Sequence, residues 1–251
     1  MVLRLLAAFI FFTRLPFWKL AEVPADYFKN VVSRWAIVGL LTAGLSVAVL
    51  YGASLILPAG IAVLLAIITR LLITGCLHED GLADFLDGFG GGTSRERILA
   101  IMKDSHIGSY GVIGLILYFG LLYSLLSSLP IAIAGSAILA GDPFSKGVSA
   151  MIINCLPYAR KEEESKSKTV YSRMSTGEYV LCLFSALLPI FWLPKPIYFL
   201  AALFPVLVFI LLTQFMKKKI QGYTGDCCGA TFLLCELSFY LGIVTIYNAI
   251  F

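Results

Sequence analysis

Residues 76–111 read CLHEDGLADFLDGFGGGTSRERILAIMKDSHIGSYG, a polar stretch between apolar ones that decides how the chain folds. It contains six of the fifteen acidic residues of a chain that is 59% hydrophobic. Asp80, Asp84 and Asp87 are spaced i, i+4 and i+7, so on a helix they lie on one face, within about 60° of one another. Because carboxylates repel at this spacing, the stripe predicts a bound hard cation, Mg²⁺ or Mn²⁺.

The residues after the acidic stripe predict phosphate binding. The run Gly88-Phe89-Gly90-Gly91-Gly92 is flexible enough to bend, and the backbone at Gly90 and Gly91 could then approach phosphate oxygens. Thr93 and Glu96 have capping-box spacing, which predicts a new helix that begins there. That helix would carry Arg95, Arg97, Lys103 and, near its end, Asp104. Metal ligands, glycines and bases are typical of phosphoryl transfer, and the alternative is an ordinary polar loop between two membrane spans.

Composition predicts an integral membrane protein. The chain has 251 residues, of which 14% are charged, and a mean hydropathy of +0.91, which is far from the composition of a soluble domain. The net charge of +4 is modest and the basic residues fall in loops, so we expect no nucleic-acid partner. None of the six cysteines has zinc-ligand spacing, and free thiols are expected.

Hydropathy predicts an all-α polytopic bundle that forms one domain, residues 1–251, with about seven transmembrane helices and an N-terminal interfacial helix, residues 1–12. The predicted spans are residues 35–57, 61–77, 108–129, 131–156, 179–193, 197–212 and 230–250. With this count the charge-rich segments all fall on one side, which the positive-inside rule assigns to the cytoplasm. The catalytic loop, residues 78–107, would therefore be cytoplasmic.

Four ionisable residues lie inside predicted spans, where charges are costly and usually face the bundle interior or a water-filled cavity. Asp142 and Lys146 are four residues apart, so they either pair to fix helix packing or line a substrate cavity. Glu236, about three turns into the last span, is predicted to bind substrate. Arg70 either extends to the cytoplasmic edge or reaches a phosphate.

Residues at the ends of the spans add candidates for substrate binding. Arg160 lies at a membrane exit, where a phosphate could be met. Asp226 lies between glycines at the start of the last span, where it could hold a hydroxyl substrate or a second metal, or belong to a loop that only turns the chain. His78 and His106 flank the acidic stretch, and His78 should point away from the acidic stripe and lie behind it.

Four motifs are spread along the chain. They are Phe12-Thr13-Arg14-Leu15-Pro16, His78-Glu79-Asp80-Gly81-Leu82-Ala83-Asp84-x-x-Asp87-Gly88, Met102-Lys103-Asp104-Ser105-x-x-Gly108-x-x-Gly111 and Gly222-Tyr223-Thr224-Gly225-Asp226-Cys227-x-Gly229-Ala230. In these motifs the chain resembles the cobalamin synthase, or adenosylcobinamide-GDP ribazoletransferase, family along nearly its whole length. Phe85-Leu86 departs from the Thr-Ala pair of many members, but the acids around it are intact.

The resemblance implies a reaction in which a ribose hydroxyl of α-ribazole, or of its 5′-phosphate, attacks the cobinamide-side phosphorus of adenosylcobinamide-GDP. GMP leaves, and a phosphodiester joins the nucleotide loop to the corrinoid. The family also implies Mg²⁺ and the cytoplasmic membrane of a prokaryote, with the lipid bilayer as a partner and the site facing the cytoplasm. A homo-oligomer is compatible with the sequence.

Residues and resemblance together assign roles. Asp80, Asp84 and Asp87 are predicted to hold one or two Mg²⁺ ions, and Asp104 is a further ligand or the general base. The predicted catalytic residues are Asp87, Lys103 and Asp104. The predicted substrate-binding residues are Arg14, Gly90, Gly91, Arg95, Arg97, Arg160, Asp226 and Glu236, with the cations among them steadying charge on the departing GMP.

Two alternatives come from other classes of protein. Asp84-x-x-Asp87-Gly88 also resembles the start of the CDP-alcohol phosphotransferase signature, but the Ala-Arg pair and the later Gly-x-x-x-Asp-x-x-x-Asp do not follow. An ion-coupled transporter would use Asp142, Lys146 and Glu236 inside the membrane. Against transport, no inverted repeat is evident and the acids concentrate in a loop.

Overall fold

A computed structural model describes residues 1–160 and 171–250, and every regular element in them is helical, as predicted. The middle of the predicted charged segment 157–178 lies outside these residues. Short 3₁₀ segments cover Phe17–Lys19, Ala25–Arg34, Leu188–Trp192 and Pro196–Ala202. The α-helices are α1 Val2–Phe12, α2 Trp35–Ser54, α3 Ala59–Thr74, α4 Leu77–Gly91, α5 Arg95–Lys103, α6 Ser109–Ser127, α7 Ile131–Ala150, α8 Ile152–Cys155, α9 Thr176–Leu187, α10 Leu203–Ile220 and α11 Gly225–Ile250.

Fewer helices than predicted qualify as membrane spans by length and composition. Four do so in the described chain, and α3 with α4 makes a fifth if that bent pair is one span. Helix α9 has only 12 residues, and α7 carries Asp142, Pro143 and Lys146, so neither one meets both requirements. The four are Ala25–Ser54, Ser109–Ser127, Pro196–Ile220 and Gly225–Ile250.

Helix α7 forms the centre of the bundle, with α2, α9 and α11 packed around it. Its Asp142 and Lys146 form a buried ion pair. The hydroxyl of Thr42 on α2 donates to Asp142 at 2.9 Å, and Lys146 Nζ donates to Thr42 Oγ1 at 2.8 Å. Of the two interpretations of this pair, the geometry favours the one in which it fixes the packing of α2 on α7.

Arg70 of α3 is the hub of a second buried network. Its guanidinium pairs with Glu236 of α11 and donates to Glu79 of α4 at 3.3 Å and to Tyr118 of α6 at 2.8 Å. The hydroxyl of Tyr240 donates to the other oxygen of Glu236 at 2.8 Å. Arg70 therefore faces inward and ties four helices together, rather than extending to the membrane edge.

A sharp corner separates α3 from α4, whose axes differ by 90°. Gly75 and Cys76 both have left-handed backbones, with φ of 64° and 57°, and their N–H groups donate to Leu71 O at 2.8 and 3.2 Å. Such paired bonds are a common way to end a helix. The corner turns α4 out of the direction of α3 and packs it against α6 and α11.

The predicted bend lies at the end of the glycine run and not within it, because α4 continues as a helix to Gly91 and Gly92 is its extended C-cap. These glycines serve packing: a side chain at Gly88 would meet Met102 of α5, and one at Gly90 would meet the ring of Tyr110 at 2.7 Å. The absence of side chains lets α5 fold back closely on α4.

The predicted capping box was also wrong, by one residue. Ser94, not Thr93, is the N-cap of α5, and its hydroxyl accepts from Arg97 N at 3.2 Å. Both residue types cap helices well, so the sequence alone did not distinguish them.

Candidate active site

A cleft of about 640 Å³ lies where segments distant in sequence meet. Its walls are the end of α1, the starts of α2, α4 and α11, and residues 158–160 and 171. Three of the four motifs quoted above therefore converge on one cleft, within the size range of small-molecule sites. The charged side chains that line it are Arg14, Asp80, Arg160 and Asp226.

Two glycines set the distance between the helices that carry the cleft's acids. A Cβ atom at Gly81 of α4 would lie 3.0 Å from the carbonyl oxygen of Asp226, and one at Gly229 of α11 would lie 3.1 Å from that of His78. The two backbones touch without intervening side chains. This crossing brings Asp80 and Asp226 to the same cleft.

Replacing Gly81 by alanine is expected to destabilise the protein by about 1–3 kcal/mol, because the added methyl group meets backbone atoms, which cannot move aside alone. The midpoint of thermal unfolding in detergent measures the change. Gly44→Ala on α2 is the control, because nothing lies within 4 Å of its Cβ position. An unchanged midpoint for Gly81→Ala would show that the backbones of α4 and α11 are not in close contact at Gly81.

Two arginines flank the cleft's carboxylates. Arg160 donates to Leu99 O at 3.0 Å and lies 4.0 Å from a carboxylate oxygen of Asp226. The backbone N–H of Arg14 donates to Ile73 O at 2.7 Å, which fixes the chain after α1 against the α3–α4 corner. The arrangement offers cations to phosphate oxygens and carboxylates to a metal or a hydroxyl group.

A second depression, here called the basic hollow, has a volume of about 530 Å³ and is lined by Arg95, Lys103 and Arg160 among others. Arg95 also has a structural task, since it donates to Ile220 O at 3.0 Å and to Ala159 O at 2.7 Å. Arg160 lines both the cleft and the basic hollow. The two cavities therefore share one cation.

The outer hollow, of about 490 Å³, collects Asp87, Gly91, Arg97 and Asp104. Asp104 accepts from His106 N at 3.0 Å and pairs with its Nδ1 at 2.7 Å. These bonds, the backbone one first, hold the pKa of the Asp104 carboxyl below its ordinary value. Asp104 does not line the cleft that contains Asp80.

Asp87 caps the start of α6. Its carboxylate accepts from Gly108 N at 2.7 Å and from Gly111 N at 2.9 Å, and a Cβ atom at either glycine would lie 2.5 Å from a carboxylate oxygen. These bonds satisfy N–H groups that a helix start leaves without partners. The capping role explains why an acid on α4 accompanies two glycines 21 and 24 residues later.

Asp87→Ala is expected to destabilise the protein by about 1–3 kcal/mol, because two N–H groups at the start of α6 lose their acceptor. Asp87→Asn should keep part of the stability that the cap contributes, since its amide oxygen still accepts a hydrogen bond from a backbone N–H group. The midpoint of thermal unfolding should be highest for the wild type, lower for Asp87→Asn and lowest for Asp87→Ala. Asp104→Asn is the matched control, and equal midpoints for all four proteins would refute the capping role.

The remaining predicted residues lie apart from the cleft's charged lining. Glu236 is 1% exposed in the Arg70 network, which explains how a carboxylate tolerates the bundle interior without substrate. Asp84 lies one turn beyond Asp80 on α4 and is 9% exposed. Gly90 packs on Tyr110, as described above.

The donor set fits Mg²⁺ in the form that phosphate sites use. No three His, Cys, Asp or Glu side chains within residues 1–160 and 171–250 form a ready metal site. Mg²⁺ at phosphates is commonly held by one or two carboxylates, with water and substrate oxygens completing the set. Asp80 lines the cleft and is one such carboxylate, and Asp84 lies one turn further along α4, outside the cleft lining.

Sequence reasoning missed the aromatic side of the cleft. The rings that line it are Phe11, Phe12, Trp35, His78, Tyr158 and Tyr171. His78 lines the same cleft as Asp80, is 2% exposed and stacks near Trp35 and Phe12, with centroids 5.4 and 6.2 Å apart. In the sequence, nothing distinguishes the other aromatic residues of the cleft from ordinary apolar residues.

Comparison with known proteins identifies relatives along the whole chain. Adenosylcobinamide-GDP ribazoletransferase of Shewanella sp. (strain W3-18-1) is 40% identical over 248 residues, which are 96% of this chain and 93% of the relative. The protein of the same name from Shewanella baltica (strain OS185) is 40% identical over 250 residues, 97% and 94% of the two chains. No solved structure matches. The family of cobalamin-5-phosphate synthase matches residues 4–244, and the chain therefore belongs to that family.

Proposed function

We propose that this protein is an adenosylcobinamide-GDP ribazoletransferase that completes the nucleotide loop of cobalamin. It transfers the cobinamide phosphate of adenosylcobinamide-GDP to a ribose hydroxyl of α-ribazole, or of its 5′-phosphate, and releases GMP. Family membership supports the reaction. The observation that carries the proposal is the convergence of distant motifs on one cleft that contains Arg14, Asp80, Arg160 and Asp226.

The donor is proposed to lie across the boundary between the cleft and the basic hollow. Arg160 lines both, so it can contact the diphosphate while Arg95 and Lys103 steady the charge on the departing GMP. Asp80 and Asp84 would hold Mg²⁺, which supplies Lewis-acid neutralisation of the diphosphate when bound. Arg14, which also lines the cleft, would orient phosphate oxygens.

The attacking hydroxyl is proposed to donate its proton to Asp226. This carboxylate lines the cleft and lies 4.0 Å from Arg160, so it is close to the cation that holds the diphosphate. Asp104, predicted from sequence as a further metal ligand or the general base, lines the outer hollow and already pairs with His106 through two contacts. Asp87 is assigned to the α6 cap.

Release of GMP by the purified full-length protein tests the proposal. Adenosylcobinamide-GDP, α-ribazole and Mg²⁺ should give GMP, and a chelator should stop the reaction. Parallel incubations replace α-ribazole by its 5′-phosphate. No GMP with either acceptor over a range of Mg²⁺ concentrations would overturn the proposal, and uptake into sealed vesicles without GMP release would favour a transporter.

The chain is further proposed to cross the cytoplasmic membrane of a prokaryote seven times, with the cleft facing the cytoplasm. The named relatives are bacterial, and Lys217, Lys218 and Lys219 end α10. A single cysteine placed at Lys195, in a cysteine-free background, should react with an impermeant maleimide in intact spheroplasts. One placed at Lys218 should react only after lysis, and the reverse result would overturn the orientation.

A further inference from the structure

We propose that the aromatic side of the cleft binds the planar base of the acceptor nucleoside. The inference rests on the proposed function and adds to it where the acceptor sits. Six rings line this cleft, supplied by the end of α1, the start of α2, the start of α4 and residues 158 and 171. The charged residues of the same cleft then hold the reacting end of the acceptor.

The six rings, here called the aromatic wall, include a buried stack of three rings and two half-buried rings beside it. Phe12 stacks on Trp35 with centroids 5.1 Å apart and planes 10° apart, and Trp35 stacks on His78 at 5.4 Å and 26°. These three are buried. Phe11 and Tyr171, which meet edge to face at 6.1 Å, are only half-buried. A flat heterocycle can stack on the half-buried rings, and Phe11 packs edge to face against Phe12 of the buried stack, with centroids 4.9 Å apart.

Two ring nitrogens in this wall indicate a missing polar partner. Within residues 1–160 and 171–250, the indole Nε1 of Trp35 and Nε2 of His78 are buried and make no hydrogen bond. A buried donor without an acceptor is costly, and such groups are uncommon unless a ligand or water completes them. The indole N–H can only donate. The benzimidazole of α-ribazole has an apolar face and one unsubstituted ring nitrogen that accepts, so the chemistries match.

The donor's guanine fits the basic hollow better than this wall. Guanine presents several polar atoms along its edges, whereas the wall offers mainly ring carbon. The described lining of the basic hollow contains no aromatic ring and supplies Arg95, Lys103 and Arg160 for the GMP phosphate. The cleft volume of about 640 Å³ suits a nucleoside. Arg160, which borders both cavities, is where the two substrates meet.

Steady-state kinetics with each substrate varied in turn tests this placement. Phe11→Leu, which removes the ring but keeps an apolar side chain, should raise the KM for α-ribazole about 10-fold, as expected for lost base stacking. The KM for adenosylcobinamide-GDP should stay within about twofold. Phe11→Tyr, which keeps the ring, should restore the acceptor KM. Phe191→Ala, at a ring 71% exposed and outside the cleft, is the control.

Trp35→Phe removes the indole N–H and keeps an aromatic ring, so it should raise the acceptor KM about 5-fold or more. A rise in the donor KM instead, or no change in either constant for both variants, would overturn the inference. Direct titration of the wild type with α-ribazole, monitored by tryptophan fluorescence, tests acceptor binding separately from the proposed reaction. Nucleoside binding that Phe11→Leu weakens would support the wall even if no GMP were released, and no binding would refute it.

Discussion

Asp80→Asn is expected to lower the rate of GMP release by about 10³-fold or more, equivalent to about 4 kcal/mol in the barrier. Asp80 lines the cleft at the start of α4, together with Arg14, Arg160 and Asp226. Asparagine keeps the size of the side chain but removes the negative charge that a hard cation requires. The loss should therefore appear in turnover, with the fold intact.

The comparison variant for Asp80 is Asp26→Asn, at a carboxylate whose side chain is 89% exposed and pairs with Lys29. Both proteins are assayed for GMP release at saturating substrates over a range of Mg²⁺ concentrations, and their unfolding midpoints are compared. Near-normal turnover by Asp80→Asn at any Mg²⁺ concentration would remove Asp80 from the site. A large loss with Asp26→Asn would show that the assay responds to surface charge.

Arg70→Met should reduce the stability of the folded protein by about 3–5 kcal/mol, a large part of the about 5–15 kcal/mol that holds a typical domain together. The substitution leaves the carboxylates of Glu79 and Glu236 and the hydroxyl of Tyr118 without the guanidinium that joins them. Because these groups are buried, water cannot replace the lost cation. The yield of monodisperse protein in detergent and the unfolding midpoint measure the effect.

Two further variants separate charge loss from packing loss at Arg70. Arg70→Lys keeps the charge but cannot reach three acceptors at once, so an intermediate midpoint is expected. The triple variant Arg70→Met, Glu79→Gln, Glu236→Gln removes the stranded charges and should recover part of the stability. If the single variant Arg70→Met were as stable as the wild type, the Arg70 network would contribute nothing to the stability of the folded protein.

The sequence predicted the helical class and placed the acids on one helix, because hydropathy and i, i+4 spacing are local properties. It also led to Arg14, Arg160 and Asp226, which the structure brings into the cleft with Asp80. It did not predict that Asp87 caps the start of α6. The partners of Asp87 are backbone N–H groups of Gly108 and Gly111, and that contact depends on how α6 packs against α4.

Glycine and aromatic residues account for the other structural features that the sequence did not predict. Gly88 and Gly90 can serve either a flexible loop or a close helix contact, and only the neighbours Met102 and Tyr110 decide between them. The aromatic wall was missed for a similar reason. Phe11 lies in an apolar segment, where a ring is read as core or lipid-facing, and nothing local indicates that it borders a cleft.

The cleft takes one wall from residues 10–14 and another from residues 225–229. During translation the first wall leaves the ribosome early, while the second must wait until α10 has been made. A nascent chain therefore has no complete cleft until its final helix has been made, and Arg70 lacks Glu236 until the same moment. We expect a chain that stops before α11 to lack one wall of the cleft and to leave Arg70 with Glu79 as its remaining acidic partner.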